Sequence, residues 1–495
     1  MRRSFALLSL ALTLASPAAR ADDAVAVSLS TTLTSGPIAP TFASFSIEIN
    51  NALQYFGTAA APNFPFITLC NVLRNASGGA GPSVRIGGGS ADASLWWTAG
   101  PPLPPSQTYA ITPVDIAAYA AALPLFDGRA VIDTSMFLAN NVTWGAAHIA
   151  AVARLMGFDR VEGVEIGNEV DSYHDSGERP HAWAEPDYET EFAAHAAALE
   201  AAGMPRGRVQ GATYCCDNPS YVNAFAGYVA RFKGVLASIS WHHYALHQNS
   251  NATITAEALL SEESTTGAAD FLQPLAATAH AAGIPFRVGE GNSVNDGGRA
   301  NVSDVFAAAL FALDVQMATA AAGVDQWNWH GGPGSLYAPI SFARRPAPPG
   351  PPDVRPLYYG MWAFASASRG GARLVVATVN TSNPLIKVWA LQQSPTEWTV
   401  LVIHKDAAAA APARVSVAPP PGHAVSAAGG ALARLVAPSV LSRYGVTFAG
   451  QTFDGSADGF PVGARVTEPV AVSATGELAF SLAPASAALL TFSTD

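Results

Sequence analysis

Residues 161–171 read VEGVEIGNEVD, a β-prone run that ends in a glycine, an asparagine and a glutamate. Residues 285–292 read PFRVGEGN and repeat this arrangement, with Glu290 between two glycines. In a parallel α/β barrel the carboxyl ends of the strands meet at one face and carry the active site. We therefore expect Asn168, Glu169 and Glu290 to lie in one site.

Eight β-prone runs alternate with Ala-rich, helix-like segments between about residues 40 and 345. The runs are Phe42–Asn50, Ser83–Ile86, Ala130–Leu138, Val161–Gly167, Val209–Tyr214, Leu236–Tyr244, Pro285–Gly289 and Val324–His330. Strands that alternate with helices predict a parallel sheet covered by helices. Eight such units predict an α/β fold of the (β/α)₈ TIM barrel type over residues 39–345. A doubly wound sheet is less favoured because no Gly-rich dinucleotide turn follows the first strand.

A different pattern follows the barrel. Residues 346–356 are Pro-rich and predict a stiff connector, because proline fixes φ and lacks an N–H group. Residues 357–495 contain short β-prone runs, such as Ala372–Asn380, separated by turn residues. This pattern predicts a C-terminal antiparallel β-sandwich domain. Residues 22–38 have the same character and are expected to add a strand to that domain.

The N-terminus resembles a leader. Arg2 and Arg3 precede the apolar run Phe5–Ala15, and small residues follow at Ala19 and Ala21. This pattern predicts a signal peptide at residues 1–21, which is too short to span a bilayer. No later stretch is long enough to do so. We therefore expect a secreted protein without a membrane span, and leave open whether it stays in a wall or enters a vacuole or lysosome.

The charge composition argues against some classes of binding partner. The chain has 26 Lys and Arg against 37 Asp and Glu, a net charge of −11. Removal of the leader takes away three arginines and no acidic residue, which leaves −14. An acidic chain without a basic patch argues against nucleic acid and anionic membranes as partners. The three cysteines, Cys70, Cys215 and Cys216, are too few for a disulfide scaffold, and a bond from Cys70 to one of the other two stays open.

The two glutamates suggest a chemistry. A pair of carboxylates that face each other across one barrel mouth is the apparatus of glycoside hydrolysis. Glu165 is a rival acid on the same strand, but we expect it deeper in the barrel. His242 and His243 do not predict a metal site, because neighbouring strand residues point to opposite faces. The sequence predicts neither a metal nor another cofactor.

Five stretches carry a closer resemblance, namely Ser44–Glu48 (SFSIE), Val84–Gly88 (VRIGG), Glu165–Glu169 (EIGNE), Trp241–Tyr244 (WHHY) and Gly289–Ser293 (GEGNS). In this order and spacing they resemble glycoside hydrolase family 79, the β-glucuronidases and heparanases. That family belongs to the retaining glycosidases built on (β/α)₈ barrels. The resemblance covers the whole barrel, and the trailing β-domain has the family's layout.

The resemblance implies roles for particular residues. Glu169 would be the general acid/base and Glu290 the nucleophile. Asn168 would bind the sugar 2-hydroxyl, while Tyr244 and Arg85 would keep Glu290 ionised. The further candidates for substrate binding are Glu48, Asn292, Asn295, Gly297, Gly298 and Tyr337.

One position departs from the family. In the glucuronidases a tyrosine follows the nucleophile by five positions and helps to recognise the substrate carboxylate, together with amides of a Gly-rich turn. Here the position is Asn295, followed by Asp296, whose charge would repel a uronate. A β-glucuronidase-like hydrolase with a carbohydrate substrate is the leading interpretation. The same mechanism on a neutral β-glycoside and a non-catalytic carbohydrate-binding protein stay open, as do the aglycone, exo or endo action and the oligomeric state.

Overall fold

The computed structural model describes residues 23–136, 141–215, 217–248, 253–343 and 350–495. Up to residue 354 the strands are β1 (Ala24–Leu33), β2 (Ala43–Glu48), β3 (Ser83–Gly87), β4 (Ser94–Trp96), β5 (Tyr109–Ile111), β6 (Arg129–Thr134), β7 (Val161–Ile166), β8 (Val209–Cys215), β9 (Leu236–Leu246), β10 (Phe286–Val294), β11 (Gln326–Gly331), β12 (Ile340–Ser341) and β13 (Asp353–Val354). The helices are α1 (Ala52–Phe56), α2 (Phe64–Ser77), α3 (Gly89–Asp92), α4 (Pro113–Ala122), α5 (Val142–Leu155), α6 (Tyr173–Ser176), α7 (Glu185–Ala201), α8 (Pro219–Phe232), α9 (Ala256–Leu259), α10 (Glu262–Ala281), α11 (Phe306–Ala321) and α12 (Pro356–Ala367).

Eight of these strands form a closed parallel barrel in the cyclic order β2, β3, β6, β7, β8, β9, β10, β11. Each of the eight β-prone runs of the sequence corresponds to one barrel strand, which confirms the (β/α)₈ prediction. The short strands β4 and β5 pair with each other outside the barrel, in the connection between β3 and α4. The carboxyl ends of the eight strands therefore share one face, as the placement of the site requires.

The interior of the barrel is polar because of the alternation of side chains along each strand. On β3, Val84 and Ile86 belong to the apolar core, while Arg85 between them reaches carboxylates from three other strands. On β7, Glu165 is flanked in the same way by two residues of the apolar core. Polar side chains thus occupy places that branched apolar residues fill in most such barrels. This concentration of buried charge marks the barrel interior as a functional region.

Helix α12 lies in the segment that the sequence pattern assigned to the β-domain, but it packs against α11 and α2 of the barrel. Pro356 stands in its first turn, where the fixed φ of proline suits a helix start. The next residues, such as Leu357 and Met361, are fully buried. The helix is therefore part of the barrel's outer layer, and the β-domain begins after it.

The strands after α12 are β14 (Arg373–Asn380), β15 (Ile386–Ser394), β16 (Glu397–His404), β17 (Ala413–Ala418), β18 (Val425–Val436), β19 (Thr447–Phe448), β20 (Glu468–Val470), β21 (Leu478–Leu482) and β22 (Ser486–Thr494). With β1 they form a ten-stranded sheet in the order β19, β18, β22, β16, β15, β14, β1, β17, β21, and β20 pairs with β18. All pairs are antiparallel except that of β1 with β17. The sheet encloses a core of its own, to which Val27, Val415, Leu478 and Leu490 belong. The chain therefore has a barrel and a separate, mostly antiparallel sheet domain.

An ion cluster joins the sheet to the barrel helices. We name Glu262, Asp314, Lys387 and Lys405 the interdomain cluster. The ammonium of Lys405 lies 2.8 Å from carboxylate oxygens of both Glu262 and Asp314, and Lys387 lies 2.6 Å from Glu262. The side chains of Lys405 and Asp314 are fully buried. Partial burial raises the pKa of Glu262, but the two lysines prevail and lower it to about 2.

Some sequence predictions lie outside the described residues, namely the signal peptide at 1–21, residues 346–349 of the connector, and Cys216. The described part of the connector includes β13, which pairs with β12. Cys70 is a free thiol buried on α2, so the optional disulfide from it does not form. Among the described residues, no helix has the length and apolar character needed to cross a membrane.

Candidate active site

Glu290 is the fifth of the nine residues of β10, and its side chain is almost fully buried. One of its oxygens accepts a hydrogen bond from the hydroxyl of Tyr244 at 2.8 Å, and the other lies 2.6 Å from Nη1 of Arg85. Burial raises the pKa of Glu290, but the charges of His330, His242 and Arg85, with the Tyr244 hydrogen bond, lower it to about 2. The carboxylate is therefore held ionised and aimed, as a nucleophile requires.

Arg85 connects several strands beneath this carboxylate. We name Arg85, Asp133, Glu165 and Glu290 the barrel-floor cluster. Nε of Arg85 lies 2.5 Å from Glu165, and Nη2 lies 3.3 Å from Asp133. Burial opposes the charge of Arg85, but the three carboxylates raise its pKa further. Burial raises the pKa of Asp133 well above its ordinary range despite Arg85, so this carboxyl favours the protonated form.

Asn168 is fixed by the same arginine. Its Oδ1 accepts a hydrogen bond from Nη2 of Arg85 at 2.8 Å, so its Nδ2 group remains as a donor. Its backbone N–H donates to Asp92, which also accepts from the hydroxyl of Tyr173. Asp92 is buried at the end of α3 and thus holds the turn after β7 in place.

Glu169 follows in the left-handed region, with φ 50° and ψ 47°. Its N–H donates to the carbonyl of Thr213 on the neighbouring strand β8, which stabilises this uncommon conformation. Gly167 precedes the turn with φ 76°, and a side chain there would meet the Tyr173 hydroxyl at 2.7 Å. The turn directs the Glu169 carboxylate into the barrel mouth, where its side chain is 29% exposed.

His242 on β9 contacts the Glu169 carboxylate, with its Nδ1 3.0 Å from Oε1. An oxygen of Glu169, a ring nitrogen of His242 and an oxygen of Glu290 all lie within 4.8 Å of one another. Retaining glycosidases have carboxyl groups roughly 5–5.5 Å apart, whereas inverting enzymes have them roughly 6.5–9.5 Å apart. A separation of at most 4.8 Å between one oxygen of each glutamate is nearer to the retaining range than to the inverting range.

The same three residues present atoms at the spacing of metal ligands. Glu290, however, already binds the guanidinium of Arg85, and a second cation at that carboxylate would be repelled. The arrangement favours acid–base and nucleophilic chemistry over metal binding.

Glu48, at the end of β2, lines the opposite side of the mouth. Its carboxylate accepts a hydrogen bond from the N–H of Ser90 at 2.8 Å and lies 3.3 Å from Nε2 of His330. Burial raises the pKa of Glu48, but the hydrogen bond and charge of His330 lower it below its ordinary value. Nδ1 of His330 lies 2.9 Å from the hydroxyl of Ser46 and 3.4 Å from Glu290, so the ring links Glu48 to the nucleophile.

A cavity of about 420 Å³ opens above these groups, a volume suited to one or two sugar rings. Among the predicted site residues, those that line it are Glu48, Glu169, Tyr244, Glu290, Asn295, Gly297 and Tyr337. Arg85, Asn168, Asn292 and Gly298 are not among its described lining residues. Tyr244 and Tyr337 lie side by side, with ring centroids 6.0 Å apart. The strand ends therefore assemble a single pocket around the two glutamates.

The turn at residues 295–298 borders the cavity and is shaped by Gln248. The Gln248 side chain donates to the carbonyl oxygens of Asn295, Asp296 and Gly298 at 3.1–3.3 Å. Its backbone N–H donates to Oδ1 of Asn295 at 2.7 Å. Asp296, Gly297 and Gly298 all have positive φ. Asn295 is therefore held by the protein through its oxygen, and the turn presents Asp296 and Gly297 to the pocket.

Asn292 differs from its predicted role in substrate binding. Its side chain is fully buried, and its amide donates to the carbonyl oxygens of His330 and Tyr337. Its Oδ1 accepts from the N–H of Ser293. These contacts make Asn292 a support for the loop that carries Tyr337. The motif GEGNS puts it two residues after the nucleophile, on the same face of an alternating strand, but these backbone contacts occupy its amide and its oxygen.

The residues of the site that are absent from the sequence-based prediction include Asp92, His242, Gln248 and His330. His330 follows the same rule that identified Glu290, because it stands at the carboxyl end of the eighth barrel strand. The motif WHHY includes His242 but assigns it no role, although its place two residues before Tyr244 puts both on one face of β9. Asp92 ends the short helix α3 and Gln248 follows β9, and no pattern in the sequence shows what their side chains bind.

No protein-family model matches the chain. The chain is 25% identical over 381 residues to a β-glucuronidase of Neurospora crassa, and 24% identical over 379 residues to a β-glucuronidase of Aspergillus niger. These alignments cover 70% and 68% of this chain and 66% of each relative. The matched part is thus just under two thirds of each relative's length.

Solved structures share the fold over nearly the whole chain. A 4-O-α-L-rhamnosyl-β-D-glucuronidase of Fusarium oxysporum has a TM-score of 0.73 at 19% identity and covers 94% of this chain and 100% of its own. A GH51 arabinofuranosidase of Xanthomonas axonopodis pv. citri has a TM-score of 0.68 at 14% identity, with 95% and 100% covered. At such identities the likeness shows a shared fold and not a shared substrate. Sequence and fold together place the chain beside the barrel glycosidases.

Proposed function

We propose that this protein is a retaining glycoside hydrolase with Glu290 as nucleophile and Glu169 as general acid/base. The observation that carries the proposal is the pair of facing carboxylates in one cavity. Glu290 is buried and bound by Arg85 and Tyr244, whereas Glu169 is partly exposed and contacts only His242 among the described side chains. One carboxylate is thus suited to attack and the other to exchange protons with the leaving group and water.

The reaction would proceed in two displacements. Glu290 attacks the anomeric carbon while Glu169 gives its proton to the leaving oxygen, and a covalent glycosyl-enzyme forms. Glu169 then takes a proton from water, which attacks the same carbon and releases the sugar. The Nδ2 donor of Asn168 would bind the 2-hydroxyl, and Glu48 would bind hydroxyls on the far side of the ring. These residues require no cofactor.

We propose β-glucuronides as the first substrate class, as in family 79. The β-glucuronidases of Neurospora crassa and Aspergillus niger support this choice, as do the five motifs of the barrel. The turn at 295–298 keeps Gly297 at the pocket, where a backbone amide is available for a carboxylate. The same relatives and the leader-like N-terminus support export of the protein; its recovery from the medium with Asp22 as first residue would test that.

A neutral β-glycoside is the second candidate, because Asp296 lines the cavity. None of the described lining residues is a lysine or an arginine, and Arg85 is already bound to the carboxylates beneath the cavity. A substrate carboxylate would therefore meet the negative charge of Asp296 without a lysine or arginine among the described lining residues to offset it.

The purified protein should be tested on aryl β-glucuronide, β-glucoside, β-galactoside and β-xyloside. Hydrolysis of the glucuronide at the highest kcat/KM supports the first candidate, and preference for a neutral sugar supports the second. Binding of oligosaccharides without release of any aryl group or reducing sugar would contradict the enzyme and support a carbohydrate-binding protein.

A further inference from the structure

Glu165 is the one buried carboxylate of β7 that takes no part in the steps above. It is fully buried, four residues before Glu169, and does not line the cavity in the described structure. One of its oxygens lies 2.5 Å from Nε of Arg85, and the other accepts a hydrogen bond from Nε2 of Gln210 at 2.8 Å. Oε1 of Gln210 in turn accepts from the hydroxyl of Ser238. A chain of hydrogen bonds thus runs from β9 through β8 and β7 to Arg85 on β3.

The guanidinium of Arg85 donates to five side chains, of which Ser46 at 3.4 Å from Nη1 and Asp133 at 3.3 Å from Nη2 are the more distant and three are closer. Nε donates a hydrogen bond to Glu165, Nη1 donates to Glu290, and Nη2 donates to Asn168. Because a guanidinium is planar and rigid, a partner that holds Nε sets the directions of both Nη groups. The last two partners are the proposed nucleophile and the side chain proposed to bind the 2-hydroxyl.

From this geometry, and resting on the proposed function, we propose that Glu165 is a positioning residue that aims Arg85 at Glu290 and Asn168. Glu165 acts through Arg85 and does not touch the sugar. Gln210 acts through Glu165, because its amide donates a hydrogen bond to the second carboxylate oxygen of Glu165.

Charge neutralisation alone is a different role, and the two roles make different predictions. If Glu165 only balances the buried charge of Arg85, its replacement by Gln and by Ala should be equally harmful. If Glu165 positions Arg85 through a hydrogen bond, Gln should preserve much of the function because its amide oxygen still accepts from Nε. A misaimed Arg85 would also weaken its hold on Glu290, whose pKa would rise.

The experiment compares Glu165→Ala, Glu165→Gln and Gln210→Ala with wild type, on the aryl glycoside that wild type hydrolyses best. Glu165→Ala should lower kcat by roughly 10²-fold, since a misplacement of about 1 Å has an effect of that size. KM should change by less than about threefold, and the acidic limb of kcat/KM should move to higher pH. Glu165→Gln should lie within about tenfold of wild type, and Gln210→Ala should shift the limb in the same direction by less.

Glu162→Gln is the matched control. Glu162 lies on the same strand and bonds to Arg287 and Ser83 away from the site, so its variant should have wild-type kinetics. Equal losses for Glu165→Gln and Glu165→Ala, or an acidic limb that does not move in Glu165→Ala, would overturn the proposal. If Glu165→Ala does not fold, an unmoved limb in Gln210→Ala would overturn it. An inactive wild type would contradict the proposed function instead.

Discussion

The barrel-floor cluster is fully or almost fully buried, whereas in the interdomain cluster only Lys405 and Asp314 are fully buried, and the two clusters also differ in their balance of charges. In the interdomain cluster two lysines face two carboxylates, and every contact joins opposite charges. In the barrel-floor cluster the single cation of Arg85 faces three carboxylates, those of Asp133, Glu165 and Glu290.

This difference separates a structural ion cluster from a functional one. Balanced pairing lets Glu262 ionise easily, and its pKa falls to about 2 although partial burial raises it. Crowding of carboxylates around Arg85 instead leaves Asp133 with a raised pKa, with burial as the largest cause. An excess of buried like charge does not stabilise a fold, so its presence beneath a cavity indicates chemistry. The predictions below test this distinction between the two clusters.

Replacement of Glu290 by Gln should have the largest effect. Because a glutamine amide cannot form the glycosyl-enzyme that the proposed mechanism requires, kcat should fall by roughly 10⁴-fold or more. The unfolding temperature should stay the same or rise, since one of three crowded carboxylates is lost and Arg85 keeps two partners. Initial rates and thermal unfolding measure both effects, with Glu162→Gln as control. Activity above a tenth of wild type would contradict the nucleophile role.

Replacement of Lys405 by Met should act on stability and not on chemistry. It leaves Asp314 buried without its cation, which should lower the free energy of unfolding by about 3–5 kcal/mol. Denaturant unfolding measures this, and kcat of the folded protein should be unchanged. Lys387→Met is the control, because Lys387 is 22% exposed and should matter less. Wild-type stability of Lys405→Met would show that the interdomain cluster does not hold the two domains together.

Replacement of Tyr244 by Phe should lower kcat by about tenfold, the effect of one charge-assisted hydrogen bond. The Tyr244 hydroxyl helps to lower the pKa of Glu290, so its loss should move the acidic limb of kcat/KM to higher pH. In wild type that limb should lie below pH 4, since Glu290 titrates at about 2. The pH dependence of kcat/KM, measured for wild type and Tyr244→Phe, tests this prediction. An acidic limb of kcat/KM that does not move in Tyr244→Phe would contradict the role of this hydrogen bond. The control is Tyr221→Phe, at a buried tyrosine of α8, which should have the kcat and pH profile of wild type.

Replacement of Asp296 by Asn should have the smallest effect, on specificity alone. Removal of one charge at the cavity wall should raise kcat/KM for a glucuronide relative to a glucoside by about two- to fivefold, because a partly exposed pair interacts by about 1 kcal/mol. The ratio of the two kcat/KM values measures this. Asp270→Asn, an exposed position on α10, is the control. An unchanged ratio would show that Asp296 does not face the substrate.

Much of this architecture follows from local patterns in the sequence. The eight β-prone runs mark the eight barrel strands because strand and helix periods alternate clearly along the chain. The strand-end rule then brings Glu169 and Glu290 together without knowledge of the contacts. Helix α12 was not predicted, because its apolar residues follow a Pro-rich segment that the sequence pattern assigns to the connector after the barrel.

The remaining features depend on contacts across the fold. Asn292 stands in the motif of the nucleophile, yet its hydrogen bonds to the carbonyl oxygens of His330 and Tyr337 make it a loop support. Gln248 and Asp92 bind backbone groups that lie 44 or more residues away along the chain. Such pairings are set by tertiary packing, and a single sequence contains no local signal for them.

The anomeric form of the first product tests the central claim most directly. Hydrolysis of the best aryl β-glycoside can be followed by proton NMR before the free sugar equilibrates. Two displacements by Glu290 and water predict that the β-anomer appears first and the α-anomer only later. Initial appearance of the α-anomer would show inversion and would contradict the assignment of Glu290 as nucleophile.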